Sequence, residues 1–200
     1  PDAGRATVTL LERLGVTVHE GTRVTRIDPG VVRTEQGDVR ARRIVRATEA
    51  WTSQLPGYER DIAPVYSLVL ATEPLPREVW DVIGLRRRET FNDQRHLIIY
   101  GQRTADDRLV FGGRGAPYHL GSRIRPEFDR DAAVYAELWR VLLELFPVLE
   151  GRQVTHTWGG PLGIPRDWFP SVGLDPATGI GWGGGYVGDG VASANLAGRT

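Results

Sequence analysis

Apolar residues at Ala6, Leu10, Leu11 and Leu14 fall on one face of a 3.6-residue repeat, and Gly15 follows where such a helix would end. The period then shortens. VTVHE (16–20) and RVTRI (23–27) alternate as short strands, VVRT (31–34) and VRA (39–41) flank the turn-forming EQGD as a hairpin, and RIVRATEA (43–50) reads as a further, buried strand. From Pro64 the pattern changes to an antiparallel sheet. VYSLVLAT (65–72) is a strand, residues 74–84 a broken helical piece, and HLIIYGQRTADDRLVFGG (96–113) a strand, turn and strand. The strongest helical stripe runs over 129–146, with Val134, Leu138, Val141, Leu142 and Leu145 on one side and Pro147 ending it. QVTHTWGG (153–160) is predicted as a strand, then come a proline-rich loop, a turn at DPATG (175–179) and a glycine-rich tail.

With 200 residues, 40% of them hydrophobic, the chain can bury one good core, or one core and part of a second. Basic and acidic residues balance at 25 each without a run of like charge, so no nucleic-acid groove is expected. RARRIVR (40–46) reads as a strand with arginines on its solvated side. There is no cysteine, which removes disulfides, thiolate metal sites and cysteine nucleophiles. Every basic residue is an arginine, which excludes a Walker A loop, a catalytic lysine and a lysine Schiff base within this chain. No two histidines stand at ligand spacing, so no metal site is expected; His19, His96 and His156 alternate with apolar residues on strands. No apolar run reaches the length of a membrane span and no signal-peptide pattern opens the chain, so a cytoplasmic protein without a membrane partner is expected. The sequence begins at Pro1 in a helical pattern and stops in another, as a piece of a longer protein would.

The tail GIGWGGGYVGDGVASANLAGRT (179–200) crowds glycines between Gly179 and Gly190 and then turns into helix-compatible residues. Gly183, Gly185 and Gly188 fit G-x-G-x-x-G, but too little chain follows Gly190 for the helix and second strand of a dinucleotide fold. A backbone without Cβ atoms still exposes N–H groups, and a helix beginning in VASANLAG would aim its positive end at a ligand bearing partial negative charge. The alternative is a tight strand-to-helix turn.

GGGYVGDGVASANLAGR (183–199) resembles the C-terminal flavin-contacting segment of the D-amino-acid oxidase, glycine oxidase and sarcosine oxidase family of FAD-dependent oxidoreductases. LLERLGVTVHEGTRVTRI, GDVRARRIVRATEAWT, IAPVYSLVLATEPLP, RLVFGGRG and WGGPLGIPRDWFPSVG resemble that family's blocks in the same order, over essentially the whole chain. Its nearest branch holds enzymes similar to gamma-glutamylputrescine oxidoreductase. The resemblance implies an α+β fold: part of an FAD-binding Rossmann-like domain in 1–55, a substrate domain with an antiparallel mixed sheet and flanking helices in 56–160, and a return to the FAD domain in 161–200. The implied cofactor is FAD. Gly185, Gly188, Asp189, Gly190 and Val191 match the segment facing the flavin pyrimidine edge, Val24 the strand position that meets the adenine, and Thr48 and Ala50 the loop near the pyrophosphate. Glu49 stands where the family usually has glycine.

The family's N-terminal G-x-G-x-x-G unit is missing, so this chain alone is expected to bind FAD poorly and to be inactive. Amino-acid oxidases of the family hold the substrate carboxylate with an arginine at the position of Leu162; Arg166 lies four residues on. The lysine that some relatives use to activate oxygen is absent too, which leaves oxidase or dehydrogenase open. The implied reaction is hydride transfer from the carbon bearing an amine to the flavin, giving an imine that water hydrolyses. Catalytic candidates are Tyr100, His119, Trp158 and Arg166, with Tyr66, Tyr118 and Trp182 as further cavity aromatics. Each aromatic taken singly is more commonly core, and a loop histidine more commonly exposed. The alternatives are an amino-acid oxidase of the same family and a non-catalytic binding module with a glycine-rich loop. A nicotinamide-dependent dehydrogenase is disfavoured because the dinucleotide-like motif sits at the wrong end.

Overall fold

The computed structural model describes residues 3–93, 95, 98–114 and 117–200. The chain opens with helix α1 (Ala3–Arg13) and four short strands, β1 (Val24–Asp28), β2 (Val31–Thr34), β3 (Gly37–Arg40) and β4 (Ile44–Arg46). Then follow β5 (Ile62–Thr72), α2 (Arg77–Ile83), β6 (Thr90–Asp93), β7 (Ile99–Arg103), β8 (Leu109–Arg114) and α3 (Ala132–Leu145). It closes with β9 (Val154–Pro165), β10 (Ser171–Asp175), β11 (Ile180–Gly184) and α4 (Gly190–Ala197). These elements form an α+β fold divided into two units, one of Pro1–Arg46 with Gly173–Trp182, the other of Ala47–Val172 with Gly183–Thr200.

In the first unit β1, β2 and β3 form an antiparallel meander. Gly30 at φ 78° makes its first turn, a left-handed conformation that favours a residue without Cβ. A second small sheet has the order β10-β11-β4, and β11 runs parallel to β4 with Ile180 opposite Ile44 and Trp182 opposite Arg46. Parallel neighbours need a long crossover, and here it is the whole stretch 47–179. Trp182 lies across Gly173: a Cβ there would meet Trp182 Cζ2 at 2.3 Å.

Two expected strands fail in this unit. VTVHE (16–20) is irregular chain, because no strand pairs with it and β-propensity without a partner ladder does not make a strand. RIVRATEA yields only the three residues of β4, and Val45 is 70% exposed rather than buried. The chain then turns into a 3-10 helix over Glu49–Gln54.

The second unit is built on a five-stranded antiparallel sheet of order β6-β7-β8-β5-β9. Side chains alternate between faces along each strand. One face supplies Leu68 and Leu70 of β5, Leu109 and Phe111 of β8 and Ile99 of β7 to the core, where α3 adds Leu138, Val141 and Leu142. Helix α3 begins where the Asp131 carboxylate accepts hydrogen bonds from the N–H groups of Ala133 (2.9 Å) and Val134 (3.2 Å), and the chain breaks at Pro147. The predicted proline-rich loop is instead a continuation of β9, with Pro161 opposite Tyr66 and Pro165 opposite Ile62. An edge strand tolerates this because its outward side needs no donors. Two short strands, β6 and β10, had no alternation long enough to predict them.

Truncating the core at Leu142→Ala should cost about 2–5 kcal/mol of unfolding free energy, and removing the helix cap with Asp131→Ala about 1 kcal/mol. Urea denaturation checks the ranking; a larger loss for the cap than for the core would contradict this account of α3.

Candidate functional site

Register places the outward aromatic residues of the second unit in one row. Tyr100 is opposite both Asn92 and Gly112, Gly112 is also opposite Val69, and Val69 is opposite Trp158. Directly opposed residues share a face, and this face is the one turned away from α3. Tyr100 remains 39% exposed and Trp158 45%, so neither is a core residue. The Tyr100 ring lies across Gly112, where a Cβ would sit 2.6 Å from Cζ, and its hydroxyl is 3.0 Å from Ser67 Oγ. Further along β9 on the same face come Gly160, with nothing within 4 Å of where a Cβ would stand, and the half-buried Leu162. From behind, Tyr135 of α3 donates to the carbonyl of Trp158 (3.0 Å) and lies 2.7 Å from that of Asp129. Burial raises the Tyr135 phenol above its ordinary range, which keeps it a donor at neutral pH.

The same unit holds the glycine segment. Gly185 (φ 74°), Val187 (φ 57°) and Gly188 (φ 101°) are left-handed on both sides of Tyr186, so no regular ladder can satisfy the backbone there. The Tyr186 carbonyl accepts from Asp189 N–H at 2.9 Å, closing a turn into α4. The Tyr186 N–H donates instead to Glu49 Oε1 at 2.9 Å, while Glu49 Oε2 accepts from Gly163 N–H at 2.7 Å. Glycine at 163 leaves room for this contact: a Cβ would displace the Glu49 carboxylate and crowd Ala50 N at 3.1 Å. Glu49 itself sits at φ 43°, a conformation costing a side-chain-bearing residue about 1–2 kcal/mol. Two charge-assisted bonds at roughly 1.5–3 kcal/mol each offset that strain.

Helix α4 starts at Gly190 with no side-chain cap on its first N–H groups, and Val191 beside them is 96% exposed. Thr48 and Ala50 flank Glu49; Thr48 Oγ1 bonds Thr52 Oγ1 at 2.8 Å and Ala50 is fully buried. Thr48, Ala50, Gly185, Gly188, Asp189, Gly190 and Val191 thus belong to one unit, and Val24 on β1 to the other.

Tyr100 and Trp158 share the outward face but stand three strands apart, roughly 14 Å across the sheet; Tyr66 and Tyr118 of the same unit do not join them. Tyr66 projects to the opposite, core face, where its hydroxyl donates to the Arg125 carbonyl (3.2 Å) and accepts from the Arg125 N–H (3.1 Å). His119 packs against it, stacked on Phe128 with ring centroids 3.3 Å apart and edge-on to Tyr66 at 5.5 Å. Tyr118 bonds within its own turn, through Ser122. Arg166 is exposed in the turn after β9 that Trp168 N–H closes onto the Pro165 carbonyl. His19 is exposed on irregular chain, His156 is exposed on β9, and His96 lies outside the described residues. Among the described residues no cluster of acids and histidines suited to a metal ion occurs, and no helix is long and apolar enough to cross a membrane. Sequence reasoning did not link Glu49 to Gly163 and Tyr186; the available signal was a long acidic side chain at a glycine position, with glycines at 163 and 185.

Residues 2–200 match the model of the DAO family, described as FAD dependent oxidoreductase. Gamma-glutamylputrescine oxidoreductase of Escherichia coli (strain K12) is 31% identical over 191 residues, covering 92% of this chain and 42% of that protein. Among solved structures, glycine oxidase from Geobacillus kaustophilus superposes with a TM-score of 0.78 at 21% identity, covering 100% of this chain and 52% of that one. L-proline dehydrogenase from P. horikoshii gives a TM-score of 0.73 at 19% identity, covering 98% and 52%. The chain spans about two fifths of the length of the curated relatives it matches.

Gly112→Ala should destabilise the protein by about 1–3 kcal/mol through collision with Tyr100, and most of that loss should vanish in a Tyr100→Ala background. Equal losses in both backgrounds would mean that the ring is not what excludes the methyl group. A second test concerns Asp129, whose Oδ1 is buried without a hydrogen-bond partner and whose carboxyl burial pushes up. A carboxyl raised in the folded state supports folding below the ordinary carboxylate range and loses that support as pH rises through its folded pKa. Asp129→Asn should therefore raise Tm at neutral pH, with the advantage shrinking as pH falls through the raised carboxyl pKa and gone below the ordinary carboxylate value of about 4. A gain that is independent of pH would contradict the assignment.

Proposed function

The chain belongs to the DAO family of FAD-dependent oxidoreductases, whose cofactor is FAD, and on that premise we propose that the full-length protein oxidises a primary or secondary amine whose reacting carbon bears no carboxylate. The observation that carries the reading is the outward sheet face. There β9 presents Trp158, Gly160 and Leu162 and no cation of its own, and the arginine that register puts on this face, Arg114 of β8 opposite Ser67, stands two strands away from them, although an amino-acid site needs a cation at the reacting end to repay the several kcal/mol of burying a carboxylate. Aromatic side chains suit an amine: Tyr100 and Trp158 offer ring faces at two places along this face, where they would orient a long substrate, with the Ser67 hydroxyl bonded to the Tyr100 phenol.

The glycine segment suits the flavin. Gly185, Gly188, Asp189, Gly190 and Val191 would hold its pyrimidine edge by backbone N–H groups at the uncapped start of α4, whose dipole favours negative charge. Thr48 and Ala50 are assigned to the pyrophosphate and Val24 to the adenine. When bound, FAD supplies the acceptor for a hydride from the carbon bearing the amine, and the substrate leaves as an imine that water hydrolyses. Residues 1–55 and 161–200 would then serve the FAD domain and 56–160 the substrate. Arg166 or Arg114 is assigned to a carboxylate at the distal end of a long substrate, with gamma-glutamylated amines the leading candidates given the oxidoreductase from E. coli. The second reading, an amino-acid oxidase, is favoured only by the exposed Arg166 four residues past Leu162.

Steady-state kinetics of the full-length protein on glycine, sarcosine, D-alanine, putrescine and gamma-glutamylputrescine test the substrate class. The two amines without an adjacent carboxylate should give the higher kcat/KM; a preference for glycine or D-alanine that Arg166→Ala abolishes would establish the second reading instead. The cofactor assignment has a separate test in Gly190→Val. A Cβ at Gly190 finds only Tyr186, at 3.8 Å, so the fold should survive while flavin content falls. Unchanged flavin content would remove Gly190 from the site.

A further inference from the structure

We propose that Glu49 is a positioning residue for the flavin: its one carboxylate fixes the spacing between the glycine segment and the strand that carries the substrate wall. The inference rests on the flavin reading and adds to it a residue that touches neither cofactor nor substrate.

The Tyr186 N–H, held by Glu49 Oε1, is the fixed point of a stretch whose neighbours on both sides are left-handed. Two residues later comes Gly188, and the chain enters α4 at Gly190, so the orientation of that amide sets where the following N–H groups aim. Glu49 Oε2 holds the Gly163 N–H on β9, one residue past Leu162 and on the strand bearing Trp158. A single side chain therefore ties the proposed flavin edge to the proposed amine wall. Both partners are donors, so the tie needs a group that only accepts. Ionised glutamate does this, whereas glutamine offers one acceptor and one donor and must leave an N–H facing an N–H. The left-handed backbone at Glu49 and the missing Cβ at Gly163 are both explained by the same contact: one lets the side chain reach, and the other gives it room.

The test uses full-length protein carrying Glu49→Gln, Gly163→Ala, and both together. Gly163→Ala attacks the same contact from the other end, since its methyl group would stand where Glu49 Oε2 lies. FAD affinity is read by quenching of tryptophan fluorescence, the visible flavin spectrum reports the flavin's surroundings, and amide exchange at Tyr186 in the apoprotein reports the contact itself. Each single variant should weaken FAD binding about tenfold, the loss of one charge-assisted bond, and shift the flavin spectrum. Tyr186 exchange should speed up, and the double variant should be no worse than the worse single one. If Glu49→Gln does not fold, Glu49→Asp takes its place, because a carboxylate one methylene shorter cannot span both amides. Lower Tm with affinity and spectrum unmoved would reduce Glu49 to a structural role and overturn the proposal. Additive losses in the double variant would overturn the shared contact. A wild-type full-length protein that takes up no flavin would defeat the flavin reading itself, and this inference with it.

Discussion

A strand in a two-sided sheet sends alternate side chains to opposite faces, and in this chain β5 turns that constraint into a division of labour. Tyr66, Leu68 and Leu70 go to the core with α3, while Ser67 and Val69 go to the other side. Because every neighbour is antiparallel and holds its register up to the irregularity at Ala71 and Thr72 against β9, parity on β5 decides the face of the residues paired with it on β8 and β9, and through β8 on β7. The position of Trp158 outside the core and of Phe111 inside it follows from being even or odd against Val69 and Leu70. A slip of one residue in any of these ladders would exchange wall and core, so the buried leucines hold the outward row in place without touching it.

The second constraint is backbone accounting. Where chain leaves a ladder, its N–H groups still require partners, and a segment of alternating left-handed residues cannot supply them internally. The stretch from Gly183 to Gly190 meets this by two means: a turn between Tyr186 and Asp189, and a carboxylate from a distant part of the sequence. Glycine at 163 and 185 belongs to the same arrangement, one making room for Glu49 and the other adopting φ 74° against Pro165. The left-handed strain at Glu49 is concentrated where the chain brings two structural elements under one side chain.

Sequence patterning was a good guide wherever one physical cause dominated. Helix α3 was legible because Leu138, Val141 and Leu142 repeat on one face, and the β2–β3 hairpin because EQGD carries its own turn chemistry. VTVHE was misread because alternation states only that a strand would be amphipathic, not that a partner exists. The end of β9 was misread because Pro161 and Pro165 ordinarily break ladders, and only topology reveals that they lie on an edge. For the site, the glycine segment was visible in composition, but the grouping of Tyr100 with Trp158 and the exclusion of Tyr66 required the register. Glu49 was seen only as a departure from pattern, since no local rule links residue 49 to residues 163 and 186.

These two constraints make different demands on substitution, and the difference bears on what defines this site. The outward face is fixed by parity, so its chemistry can change at Leu162 or Trp158 without disturbing the core behind it. The glycine segment has no such freedom. Its conformation depends on left-handed glycines, on the absence of a Cβ at Gly163 and on a carboxylate that accepts twice, so a change at any one leaves a donor without a partner or a side chain without room. On the proposed assignment, cofactor contact would fall to the stiff segment and substrate recognition to residues standing on an already stable sheet. Leu162, one residue before Gly163 on β9, puts a position with room for change directly beside one that is crowded. Alternation makes this possible, because Leu162 belongs to the outward face while the place a Cβ would take at Gly163 faces Glu49.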